Sequence, residues 1–239
     1  MCGIAGYITG TFSEAAADAE FFTTLSGELA ASEPGEDAVA LLTRAIEDLK
    51  ARFPAMMAIG FVRHVALDEG LQSTLTGLAG RLEQHEAVLT KLSQAGRTDL
   101  DPLIEALRDM AWQLRSELVE HAVAARTLVA DSADLAGSKA LHVAAAAEYV
   151  LRAIDRLEVR GRDSAGIAIQ IDLPSGALDG LPRALSDRLA ARSADPHAGH
   201  GSVYVTPRGG ADATVTFSYK TANLVGRLGD NGATLRQGI

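Results

Sequence analysis

The chain has 239 residues, 22 Lys+Arg against 31 Asp+Glu, and a formal net charge of −9. Hydrophobic residues make up 47% and charged residues 22%, which excludes wholesale disorder and allows one large domain or two modest ones with real cores. The acidic balance excludes nonspecific nucleic-acid binding as an expected role, and a single cysteine, Cys2, excludes an intramolecular disulfide and a multi-cysteine zinc site.

The first segment, Cys2-Gly3-Ile4-Ala5-Gly6-Tyr7-Ile8, reads as a short buried strand. From residue 11 to residue 147 glycine is sparse, alanine and leucine are dense, and charges recur at helical spacing. Residues 37–53 fit an amphipathic helix with Leu41, Leu42, Ala45, Ile46 and Leu49 on one face, and Pro54 is expected to limit it. The sharpest pattern spans 69–95. There Leu71, Leu75, Leu78, Leu82, His85, Leu89 and Leu92 step by four and three, a heptad seam that Gly96 should end. Asp101 before Pro102 predicts a capped start for a long helix, whose stripe runs from Leu103 through Leu107, Met110, Leu114, Leu118 and His121 to Leu128. A last helix is expected over 139–159, with Val143, Ala147, Val150, Ile154 and Leu157 inward.

Beyond Gly161 the strand signal returns at 165–171, 202–206 and 214–219, supported by the β-branched Val203, Val205, Val215 and Thr216. Short helices are expected at 183–192 and 221–228, and a further one runs into the final residues. The most apolar stretch, 141–154, is interrupted by His142, Glu148 and Arg152, and no secretory signal opens the chain. No membrane partner is therefore expected, and a cytoplasmic location is.

Cys2 is the strong nucleophile candidate. Removal of Met1 is expected because the next residue is small, and Cys2 would then carry a free α-amine beside its thiol. Reference pKa values of about 7.7–8.0 for the amine and about 8.5 for the thiol make the two a compact base–nucleophile pair for acyl transfer. Without further context the favoured reading is a small apolar residue opening a strand. The other signals are weaker. His197 and His200 lack a third ligand nearby, so no metal is implied. His64, His85, His121 and His142 fall in helical segments, where polar boundary positions are expected, and Gly209-Gly210 reads as a turn.

Cys2-Gly3-Ile4-Ala5-Gly6, followed later by Arg160-Gly161-Arg162-Asp163-Ser164-Ala165-Gly166-Ile167, resembles the N-terminal nucleophile (class II) glutamine amidotransferases. In that family an amino-terminal strand and a helix ending in a similar turn lead to the next strand. Residues 151–167, and 219–231 with Lys220, Thr221 and Val225 to Asn231, are most similar to the glutamine–fructose-6-phosphate aminotransferases (glucosamine-6-phosphate synthases), although Arg162 stands where they usually carry tyrosine. The resemblance covers about residues 1–10, 148–172 and 216–239.

It implies that Cys2 attacks the side-chain amide of glutamine and that ammonia passes to a sugar phosphate held by a domain outside this sequence. It implies no metal or organic cofactor. Arg160 would help to shape the substrate pocket; its plainer role is a surface arginine favoured at a helix C-terminus. Gly161 reads as a helix end, and Asp163 and Ser164 as turn residues.

The implied fold is α+β: an incomplete αββα sandwich of the N-terminal nucleophile hydrolase kind, interrupted by an inserted α-helical bundle. Residues 1–10 and 148–239 would form the partial amidotransferase domain and 11–147 the bundle, a possible surface for homo-oligomers. Two departures stand out. The family joins its first strand to its helix by a short connection, and no counterpart of its substrate-gripping Thr-Arg-Trp-Ala-Thr-His-Gly segment or of its Asn-Gly oxyanion pair is identified. The chain is therefore expected to be the amino-terminal part of a longer enzyme and to be inactive alone. The alternatives are an amidotransferase with another ammonia acceptor, or a noncatalytic interaction protein built on an amidotransferase remnant.

Overall fold

The computed structural model describes residues 19–130, 139–157, 164–174, 176–194, 201–208, 212–221 and 229–239. The described residues divide into two compact units, those within Thr9–Ala146 and those within Ala147–Ile239. Together they are a mixture of helix and a small antiparallel sheet, an α+β chain. The expected strand at 2–8 lies outside the described residues, as does most of the helix expected at 221–228, of which Thr221 itself ends a strand. No helix among the described residues is long and apolar enough to cross a membrane.

The first unit is helical. In chain order it holds α1 (Ala19–Ala31), α2 (Val39–Met56), α3 (Ile59–Leu67), α4 (Glu69–Gln94), α5 (Asp101–Trp112), a widened turn of helix at Gln113–Glu120, α6 (His121–Leu128) and the start of α7 (Lys139–Leu157). The heptad seam faces the core: Leu75, Leu78, Leu82 and Leu89 are fully buried. Asp68 caps α4 by accepting from the Leu71 N–H at 2.9 Å. At the other end Gly96 has φ +114°, a conformation that glycine adopts without Cβ strain. The Gly96 N–H then donates to Ser93 at 2.8 Å and the Arg97 N–H to Leu92 at 3.1 Å, which satisfies the last carbonyls of the helix.

Three expectations are corrected here. Pro54 does not end α2, which continues to Met56, because proline in a final turn disturbs few further bonds; the reversal comes at Ala58, whose ψ of 138° is extended. Asp101 is the first residue of α5 and gives no side-chain cap, accepting instead from Ser93 Oγ at 2.5 Å and so tying the start of α5 to the end of α4. The stripe after Met110 is carried by a wide turn with i→i+5 bonding, which keeps Met110, Leu114, Leu118 and Ala122, spaced by four, on one buried face.

α4 and α5 run as an antiparallel hairpin. Arg115 holds Glu83 with two hydrogen bonds, the Nη2–Oε2 one at 2.9 Å, and Arg108 holds Glu86. α1 packs on α4, with Phe22, Leu25 and Leu29 buried, and Phe22 lies 6.0 Å from the Phe61 ring of α3.

The second unit contains the rest of α7, then β1 (Ala165–Leu173), α8 (Arg183–Ala194), β2 (Gly201–Pro207), β3 (Ala213–Thr221) and α9 (Asp230–Gly238). The sheet order is β1-β3-β2, antiparallel throughout. Its register aligns Ile167 with Tyr219, Ile169 with Phe217 and Ile171 with Val215, so the apolar residues share one face. α9 packs on β1 and β3, and α8 on β2. The Arg192 guanidinium of α8 lies 4.8 Å from the centre of the Tyr219 ring. At the far end of the sheet Asp172 accepts from Thr214 at 2.7 Å and from Arg208 at 2.5 Å, which holds its carboxyl below the usual aspartate range.

Candidate functional site

The two residues that the sequence singles out, Cys2 and Arg160, lie outside the described residues, as do Gly161, Asp163, His197 and His200. Ser164 stands exposed immediately before β1. Among the described residues no three or more His, Cys, Asp or Glu side chains converge as metal ligands.

What the structure does bring together in the second unit is a buried ionic cluster at the junction of α7 and α9. Glu148 and Asp155 are seven residues apart on α7, two turns of helix, and therefore share a face. Arg236 of α9 meets both. Its Nε donates to Glu148 Oε2 at 2.9 Å, and its Nη2 donates to Glu148 Oε1 and to Asp155 Oδ2, each at 2.8 Å. The Glu148 side chain is 1% exposed, against 26% for Arg236 and 30% for Asp155. Burial alone would pull the Arg236 guanidinium down; its hydrogen bonds to Glu148 and Asp155 and their charge outweigh that and hold it above its ordinary value.

Gly232 completes the junction. A Cβ there would sit 1.8 Å from Asp155 Oδ1. Glycine within a helix ordinarily costs about 1 kcal/mol relative to alanine, so Gly→Ala is ordinarily stabilising. Here the sign should reverse, because Asp155 is anchored by Arg236 and has little room to retreat. Gly232→Ala is expected to destabilise the α9–α7 junction by about 1–3 kcal/mol, read as earlier urea unfolding and faster hydrogen exchange over 230–238. A variant more stable than the parent would show that Asp155 moves freely. Asn231-Gly232 is an Asn-Gly pair, but Asn231 is 3% exposed and Gly232 is closed against Asp155. The pair belongs to the packing of α9.

Sequence reading registered Glu148 only as an interruption of an apolar run. The buried residues of α7 are Leu141, His142, Ala144, Ala145, Ala147, Glu148 and Leu151. Of the expected inward stripe Ala147 is buried, whereas Val143, Val150, Ile154 and Leu157 are half-buried, because an alanine-rich helix offers little apolar contrast and its buried acid is compensated from far along the chain. The available signal was the seven-residue spacing of Glu148 and Asp155 on one face. The boundary roles expected for histidines are also corrected: His85, His121 and His142 are 2%, 1% and 5% exposed. His121 Nε2 lies 2.7 Å from the Ala145 carbonyl, linking α6 to α7 inside the helical unit.

The helical unit also carries an open groove of about 690 Å³ between α2 and the start of α5, rimmed by Glu36, Glu47, Lys50, Arg97 and Asp99. Arg97 is already engaged there, donating to both oxygens of Asp99 at 2.9 Å and to Glu36. Chemically, the α7–α9 cluster holds and orients; it contains no nucleophile. No family model, curated protein or solved structure matches the chain.

Proposed function

We propose that the chain carries the amino-terminal part of a glutamine amidotransferase of the N-terminal nucleophile type, one that supplies ammonia to fructose 6-phosphate to form glucosamine 6-phosphate. The observation that carries this reading is the pairing of a cysteine at position 2, within Cys2-Gly3-Ile4-Ala5-Gly6, with the motif Arg160 to Ile167. The reading is supported by the second motif running into a strand, Ala165–Leu173, that follows the described helix Lys139–Leu157. The finer fold that goes with it is the αββα sandwich, of which the three-stranded sheet with α8 and α9 would be one part.

In this reading the α-amine of Cys2, exposed once Met1 is removed, takes the thiol proton directly or through a water. The thiolate adds to the amide carbon of glutamine, the tetrahedral intermediate collapses with loss of ammonia, and water cleaves the thioester to release glutamate. Arg160 would bind the substrate beside the sulfur. No metal or organic cofactor takes part.

Oxyanion donors supply a large share of such acceleration, roughly 10²–10³ for a single donor. The 239-residue chain, in which no counterpart of the family's Asn-Gly donor pair is identified, is therefore expected to release little or no glutamate. The decisive experiment treats the full-length protein that carries this chain with a diazoketone analogue of glutamine. Mass spectrometry should find Met1 removed and one adduct on Cys2, with none in Cys2→Ala. An intact Met1, or an unlabelled Cys2, would end the proposal.

A further inference from the structure

His85 occupies a position in the α4 seam that the heptad pattern reserves for leucine, and it is 2% exposed. Its ring hydrogen-bonds the main chain of Leu29 in α1, while Nδ1 is buried with no hydrogen-bond partner among the described residues. The bond to α1 therefore runs through Nε2, and Nδ1 is the buried nitrogen left over. Several ionised side chains on the surrounding elements are paired with one another. Glu28 of α1 pairs with Arg44 at 2.5 Å, and Arg81 of α4 donates to Ser26 at 3.4 Å. Glu86 is held by Arg108 of α5, and Glu83 by Arg115 of the wide turn. None of these charges acts on the ring: burial opposes its protonation and lowers its pKa, and only the Leu29 main chain works the other way.

We propose that α1 is an acid-released arm: a proton added to His85 Nδ1 finds no acceptor and drives α1 off the leucine seam of α4. With α1 docked, Nδ1 is buried and has no acceptor among the described residues, so a second N–H on the ring would be a buried, unsatisfied donor bearing charge. With α1 undocked, the ring is hydrated and titrates normally. A histidine held neutral when docked and free when released makes docking weaken as pH falls below about 6.5, the ordinary histidine value, and leaves it unaffected above. At pH 5.0 one such proton can shift the docking equilibrium by up to about thirtyfold. Release would uncover the face of α4 on which α1 packs.

The experiment is hydrogen exchange on the full chain at pH 7.5 and 5.0, corrected for intrinsic rates, for the parent, His85→Leu and His85→Gln. The expected result is a loss of protection over 19–31, approaching about thirtyfold in the parent, with much smaller loss over 101–112. Both variants should hold α1 equally well at the two pH values; the glutamine variant serves if leucine disturbs folding. Unchanged protection of α1 in the parent would overturn the proposal. So would the same loss in the variants, or an equal loss over 101–112, which would mark general acid unfolding through His142 and other groups.

Discussion

Replacing Arg236 by methionine is expected to destabilise the second unit by about 3–5 kcal/mol, the usual cost of removing one partner from a buried ion pair. The reason is Glu148. Its side chain is 1% exposed, and both of its carboxylate oxygens accept from Arg236, at 2.8–2.9 Å. Methionine roughly keeps the volume and removes every donor, which leaves a desolvated carboxylate. The loss should appear as a lower urea midpoint and as collapse of hydrogen-exchange protection over 230–238. The double variant Glu148→Met, Arg236→Met should recover most of it, because the cost lies in the stranded charge rather than in the absent pair. A single variant that loses less than about 1 kcal/mol would mean that water screens the cluster as it screens a surface pair.

Leu82→Ala should cost the helical unit about 2–5 kcal/mol. Leu82 is 0% exposed and lies in the middle of the α4 seam, with α1 and α5 both packed on that helix. Truncation removes its transfer energy and leaves a cavity that rigid helices on either side close only in part. Leu82→Met, which nearly keeps the volume, should cost less than about 1.5 kcal/mol. The difference between the two variants, read from urea melts followed by circular dichroism, measures the packing itself. Equal losses would indicate that the seam is loosely filled at this layer.

Much of the helical unit was legible from local pattern. The leucine spacing set both the extent and the inward face of α4, since six buried positions from Leu71 to Leu89 at steps of four and three leave one phase open. Gly96 marked its end because a left-handed residue is needed there. α1 and α3 were not singled out. The first shows only a short apolar stripe at Phe22, Leu25 and Leu29, and the second is a nine-residue helix between Ala58 and Asp68. Such short segments become helical through what they pack against rather than through their own propensity. The candidate site was legible only as motif chemistry at Cys2 and Arg160.

The sequence alone determined most of the described helices and strands, α1 and α3 excepted, since periods of 3.6 and 2 depend only on neighbouring residues. It also determined the chemistry available at Cys2. The tertiary structure decided which charges are buried together and which ring nitrogen is left without a bond among the described residues. Arg236 meets Glu148 across 88 positions and Asp155 across 81. His85 meets Leu29 through a helix packed from earlier in the chain. No local periodicity encodes such meetings, because the energy of a buried charge or an unsatisfied nitrogen depends on what is folded against it.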